Sequence, residues 1–403
     1  MQVPSGPRRN IAVFIDGTWN RGNSSSPTNV RKLFEATPKC SAADVEQLPL
    51  YIQGVGTKPK FDDLSWVDED YRAQLQKLLG DEFPGPVPDF VREKWGGAFG
   101  KGTAARIRGA YHFVCRHYRE RSEDRVFLFG FSRGAFAARS LAGFLDVVGL
   151  LLLGHLDKVE EAWMLYERAL DPAQSELQEF LYNLTGYRRA TRDQFYVPMH
   201  FLGVWDTVAS LGIPSRQGWL MAPFTEFHQV DVPPAVMTAR HAIAAHEIRS
   251  TFEPLLWRSS AGSTDLMQVW FPGAHADVGG GYKTGKDKLS DNALRWMMRE
   301  ASEYGLLVRS PSPWLLQADA LDAVHHEIRG MFITSTPTPR LWLGGREPTN
   351  GFHMHRSLVD YLLESSHDYR FSRPFVNAAL RRADELALLR FIHTRLDGRV
   401  VVS

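Results

Sequence analysis

Cysteine is the scarcest chemically useful residue in this chain of 403, which holds only Cys40 and Cys115. Two cysteines cannot form a disulfide framework, so the sequence points to a reducing compartment. Charge of either sign is not in excess. There are 47 Lys and Arg against 46 Asp and Glu, a formal +1, so no electrostatic pull toward nucleic acid is expected. The charged run 119–125 mixes both signs and reads as a solvated helix end. Long apolar runs are also missing. The longest, Val147 to Leu153 broken by Gly149, falls far short of the ~20 residues that span a bilayer. Residues 1–10 lack the apolar core of a secretory signal. These absences predict a soluble, cytoplasmic protein, any export of which would proceed without a signal peptide. Neither an internal repeat nor a low-complexity tract occurs.

What is present is a hydrophobic content of 44% with 12% aromatics, enough for a sizeable core. The chain is organised around Arg125 to Arg139. Val126 to Phe129, with Phe131 beyond, form a run suited to a strand buried on both faces. Gly130-Phe131-Ser132-Arg133-Gly134 follows, and then a helix that opens on Ala135, Ala137 and Ala138. With 33 glycines in the chain, the G-x-S-x-G spacing alone has little specificity. Its place between a strand and an Ala-rich helix is the context of a nucleophile elbow, where small neighbours let the helix pack close to a strained serine.

Further strands are expected at Ile11–Ile15, Leu48–Ile52, Val197–Trp205 and Leu266–Phe271. Helices are expected from Thr28 or Asn29 to Ala36, over Thr103–Tyr118, from the elbow to Val148, within 155–185, over Val236–Ile248 and over Leu289–Glu303. Two more are expected near Leu358–Leu363 and Asn377–Leu396. The alternation predicts a single α/β domain over residues 10–400, α/β-hydrolase-like, with a mainly parallel sheet flanked by helices. Four strands end in polar turns: Asp16-Gly17, Gly130 to Gly134, Asp206-Thr207 and Gly273 to Asp277. In such sheets these ends converge on one rim, where ligands bind.

A serine nucleophile needs a base, and the base needs a carboxylate to hold its tautomer. The order Ser132, Asp206, His275 fits the α/β-hydrolase pattern. Asp206 also reads as a plain turn or helix cap, and His275 is one of fourteen histidines. His353 and His355 compete as the base from the C-terminal part. Asp277 competes as the acid, or shapes the turn with Gly279 to Gly281. The amides of Arg133 and of Gly17 or Thr18 would form an oxyanion hole, with Asp16 in support. A phosphatase reading of Phe14-Ile-Asp-Gly-Thr18 fails, because Phe14 stands where that chemistry needs its nucleophilic aspartate. Asp16, His275 and Asp277 lack metal-ligand spacing, so no metal or cofactor is expected.

Phe14-Ile-Asp-Gly-Thr-Trp-Asn20, Tyr51-Ile-Gln-Gly-Val-Gly-Thr57, Phe129-Gly-Phe-Ser-Arg-Gly-Ala135, Gly203-Val-Trp-Asp-Thr-Val208 and Trp270 to Tyr282 together resemble the catalytic domain of type VI secretion phospholipase effectors. The resemblance spans about residues 10 to 285. It implies Ser132, Asp206 and His275 as a triad, glycerophospholipid or another acyl ester as substrate, peripheral membrane contact, and a secretion-apparatus or immunity partner. The competing reading is a catalytically silent hydrolase-fold binding or assembly module. Segments 57–100, 150–195 and 210–235 are long enough to form a cap or lid over the rim. Trp66, Trp95, Trp163 and Trp219 lie in them, either facing acyl chains or packing the cap on the sheet.

Overall fold

The computed structural model describes residues 7–17, 25–41, 44–54, 65–80, 98–119, 123–169, 197–208, 231–249, 252–257, 259–260, 264–283, 288–309, 352–364 and 400–401. Its strands are β1 (Arg8–Ile15), β2 (Cys40–Ser41), β3 (Val45–Ile52), β4 (Arg125–Phe131), β5 (Met199–Trp205), β6 (Asp231–Val232), β7 (Thr238–Ala244), β8 (Ser259–Ser260), β9 (Asp265–Phe271), β10 (Phe352–His355) and β11 (Val400–Val401). Among the described residues nine of them form one sheet, ordered β11-β10-β9-β7-β5-β4-β1-β3-β2, while β6 pairs with β8. Every pairing in the large sheet is parallel except β2 with β3.

The helices are α1 (Asn29–Ala36), α2 (Glu69–Gly80), α3 (Ala98–His117), α4 (Arg133–Val148), α5 (Val159–Ala169), α6 (His275–Gly279), α7 (Lys288–Glu303) and α8 (Arg356–Glu364), with a 3-10 turn at Leu153–Lys158. Side chains alternate across a strand, and β1 and β4 divide their residues accordingly. Ile11, Val13, Ile15, Val126 and Leu128 join one core cluster with residues of α2 to α5. Ala12, Phe14, Phe127, Phe129 and Phe131 join a second, with residues of α1 and α7. A sheet covered on both faces needs strands that are apolar throughout, which is why β1 and β4 were legible as strands.

One element departs from expectation. Val236 to Ile248 reads as a helix, yet Thr238–Ala244 is the strand β7, buried at all seven positions between β5 and β9. Its Arg240 is held by Glu300 at 2.7 Å and Asp265 at 2.6 Å, so a charge that looked like a helix surface lies inside the protein. His241 therefore sits on a strand.

The strand order reverses once. The chain runs from β1 to β3 on one side, then returns to β4 on the other and continues outward through β5, β7, β9 and β10. The switch falls between β1 and β4, the place where open α/β sheets form a crevice beyond their carboxyl ends. Of the segments expected to form a cap, α2 packs on α3, where Gly109 meets Leu79. Residues 150–169 carry Val159, Ala162, Trp163 and Tyr166 into the core. Most of the remainder of those segments lies outside the described residues, as do Trp95, Trp219 and the helix expected at Asn377–Leu396. Trp163 is fully buried against Phe144 and Tyr166, and Trp66 packs edge-on to Phe113. Trp163 is in the core, and Trp66 is half-buried at its edge. No described single helix is long and apolar enough to cross a membrane.

Candidate active site

Strand β4 delivers Ser132 to the rim in a backbone conformation that few residues adopt. Its φ of 58° and ψ of −121° make it one of two non-glycine residues with positive φ among those described. Such strain costs on the order of 1–3 kcal/mol and persists only where the surroundings enforce it. Here they do. A Cβ on Gly130 would stand 2.3 Å from the Gly134 carbonyl oxygen, and one on Gly134 would stand 2.1 Å from the Ile15 carbonyl oxygen. Both glycines let α4 approach β1 and β4 closely. The Ser132 amide donates to the Trp205 carbonyl at 3.0 Å, tying the turn to β5.

The other positive-φ residue is Asp206, at 39° and fully buried after β5. Its amide donates to the Ala242 carbonyl at 2.7 Å, and its Oδ1 accepts the Ala244 amide at 3.0 Å. The end of β7, the strand misread as helix, therefore fixes the carboxylate. Oδ2 remains directed at His275.

His275 opens the short helix α6 just beyond β9. Gly273, with φ of 107°, makes the turn, and the Asp277 carboxylate accepts the Ala274 amide at 2.9 Å. That bond gives Asp277 the turn-shaping role. The His275 amide donates to Glu247 Oε2 at 3.2 Å, and Arg249 holds Glu247 at 2.7 Å. Phe131 and Phe252 pack against the imidazole with ring centres 4.7 and 4.8 Å away. Gripped this way, the ring lies 2.6 Å from Asp206 Oδ2 through Nδ1 and 2.8 Å from Ser132 Oγ through Nε2. All three side chains are buried. Glu247, Arg249 and Phe252 escaped the sequence reading, because the expected helix at Val236–Ile248 hid the start of the loop they occupy.

The other expected residues fall as follows. Asp16 is buried and accepts bonds from the Gly17 amide at 2.7 Å, the Thr28 hydroxyl at 2.8 Å and the Tyr51 hydroxyl at 2.5 Å. Burial nevertheless raises its pKa to about 6, outweighing those bonds and the charge of Arg31. The Gly17 amide is thus turned onto Asp16, and Thr18 lies outside the described residues. Arg133 is the first residue of α4, and burial draws its guanidinium down to about 10. His355 sits in β10, stacked on Phe271 at 4.5 Å and bonded to the Ser357 hydroxyl at 2.7 Å. Burial, then the charges of Arg299 and Arg295, lower its pKa to about 3. His353 also belongs to β10. Among the described residues no cluster of three His, Cys, Asp or Glu is arranged to hold a metal.

A parallel sheet with a glycine-bracketed, strained serine after its central strand defines the hydrolase class of α/β folds. A family model described as T6SS, Phospholipase effector Tle1-like, catalytic domain matches residues 9–300. The chain belongs to that family. It is similar, at 31% identity over 251 residues, to the uncharacterized protein YEL023C of Saccharomyces cerevisiae, covering 61% of this chain and 32% of that one. Two solved structures are also similar in outline. An uncharacterized protein from Pseudomonas aeruginosa has a TM-score of 0.40 and 20% identity, covering 77% of this chain and 47% of that one. The Tle1 effector bound to the VgrG spike from the Type 6 secretion system has a TM-score of 0.32 and 19% identity, covering 69% and 52%. The chain thus spans about a third of the yeast relative's length and about half of each structure's.

Proposed function

We propose that this protein is a serine hydrolase that cleaves the acyl esters of glycerophospholipids. The observation that carries this reading is the hydrogen-bonded chain from Ser132 Oγ through His275 to Asp206 Oδ2. Ser132 Oγ attacks the ester carbonyl carbon while His275 Nε2 takes its proton. The Arg133 amide, at the positive end of α4, stabilises the oxyanion. The Gly17 amide, expected as the second donor, is instead bonded to Asp16 Oδ1 at 2.7 Å. Collapse of the tetrahedral intermediate returns the proton from His275 to the leaving alcohol and leaves an acyl-enzyme. Water, deprotonated by the same nitrogen, then releases the fatty acid. Asp206 keeps the Nδ1 proton in place and stabilises the imidazolium.

Membership in a phospholipase effector family supports a membrane lipid as the substrate. It also supports a type VI secretion apparatus as the route of delivery, with an apparatus or immunity protein as partner. The test is a fluorophosphonate probe followed by a lipid assay. Wild-type protein should be labelled at Ser132 and release fatty acid from phosphatidylcholine vesicles, and Ser132→Ala should do neither. Wild-type protein that resists the probe and releases nothing would instead be a hydrolase-fold binding module.

A further inference from the structure

A buried cation lies near the candidate acid, and no carboxylate among the described residues pairs with it. Arg139 is 1% exposed on α4, two turns beyond Ser132. Among the described residues its one hydrogen bond goes from Nη1 to the Leu255 carbonyl, and its Nε and Nη2 find no partner there. Its guanidinium lies over the Trp257 ring at 4.5 Å. Burial draws the group down to about 9. A core position of this kind is one where an apolar side chain of similar volume is often as stabilising or more so.

The contacts of Arg139 lead directly to the peptide after Asp206. Leu255 donates its amide to the Thr207 carbonyl at 2.9 Å. The Thr207 amide donates to His241 Nε2 at 3.1 Å, and the His241 ring meets Trp257 edge-on at 5.4 Å. Gln268 pins both backbone groups of Trp257 at 2.9 Å. Thr207 is therefore held by its carbonyl on one side and its amide on the other. Both holds return to the Arg139–Trp257 stack. The residue before it is Asp206, whose positive φ needs such restraint.

We propose that Arg139 is a positioning residue for Asp206, acting through Leu255, Trp257 and His241 to keep the carboxylate aligned on His275. This rests on the Ser132–His275–Asp206 reading. An Asp206 that drifts from Nδ1 stabilises the imidazolium less. The acid limb of kcat/KM, where activity rises as His275 loses its proton, then moves to lower pH. Among the described residues, the charged groups next to His275 and Ser132 are the Glu247–Arg249 pair, Asp277 two residues on and Arg133 following Ser132, and the test leaves all of them in place.

Arg139→Met is the decisive variant. Its thermal midpoint should be unchanged or higher, kcat should fall roughly 10- to 100-fold with little change in KM, and the acid limb should move down. Arg139→Lys keeps a cation over Trp257 and a donor toward Leu255, and should retain most of the rate and the wild-type limb. Trp257→Leu attacks the same belt from its other side and should move the limb in the same direction as Arg139→Met. An Arg139→Met protein that loses stability and rate together with an unmoved limb, or that fails to fold, or that keeps wild-type kinetics, overturns the proposal. Titration of the His275 ring by NMR reads the same shift without turnover. If the wild type proves inactive, that titration still decides the inference, whereas failed probe labelling sinks only the hydrolase reading.

Discussion

Gly134 and Ile15 approach so closely that a Cβ on the glycine would lie 2.1 Å from the Ile15 carbonyl oxygen. The obstacle is backbone, at the end of a central strand, and cannot swing aside. Gly134→Ala should therefore destabilise the protein by about 2 kcal/mol or more, despite alanine's better helix propensity. Gly154→Ala, where a Cβ meets nothing within 4 Å, should be close to neutral. Urea unfolding of the two variants makes the comparison, and equal midpoints would contradict the packing described.

The identity of the base can be settled by substitution. His275→Ala should lower turnover by roughly 10⁴- to 10⁶-fold, the scale of losing the base of such a chain. His355→Ala, which removes a ring bonded to Ser357 and stacked on Phe271, should cost stability and leave turnover largely intact at temperatures below its melting transition. Steady-state rates on a p-nitrophenyl ester would show it. The opposite ranking would move the base to β10.

Asp16 predicts a pH signature of unusual sign. Its folded pKa, about 6, lies above the ordinary value of about 4. The folded state therefore holds a proton that the unfolded state has already released. Any stability tied to that proton is present below pH ~4 and is lost as pH rises through about 6. Asp16→Asn should stabilise the protein at pH 8, by an amount on the order of 2–3 kcal/mol, and change little at pH 4. Melting curves at both pH values test this, and stabilisation confined to pH 4 would refute it.

His355 acts in the opposite direction. With its pKa held near 3, the unfolded chain gains a proton near pH 6.5 that the folded protein refuses. Stability should fall as pH drops from about 6.5 toward 3. His355→Phe, although less stable at pH 8, should show a shallower acid decline. An unchanged slope in pH-dependent chemical denaturation would exclude His355 as a source of acid lability.

The elements legible in the sequence were those whose burial leaves a pattern. β1, β4, β5 and β9 are apolar runs that end in polar turns, and the elbow sits between signals of two different periods. Ser132, Asp206 and His275 could be picked out because each directly follows such a run. β7 could not. Thr238 to Ala244 is rich in alanine and carries Arg240, which reads as a helix surface, and the residues that neutralise it, Asp265 and Glu300, lie 25 and 60 positions away. No local window contains that pairing. The same misreading hid Glu247, whose contact with the His275 amide spans 28 positions. Arg139 drew no reading from the sequence, since nothing in α4 indicates that Trp257 will cover it.

The single reversal of strand order also governs how the chain can assemble during synthesis. β1 is made first and can pair with β3, but its other edge stays open and the crevice between β1 and β4 cannot form until residue 131 has been made. After that, each new strand of the large sheet joins the edge left by the one before: β5 on β4, β7 on β5, β9 on β7. Each intermediate thus presents as its open edge a strand that is mostly buried in the finished sheet, a surface that invites aggregation until the next segment covers it. A nascent chain halted after Ala244 would display all seven residues of β7, buried in the finished protein. Chaperone demand should be greatest in that interval and fall once β9 emerges.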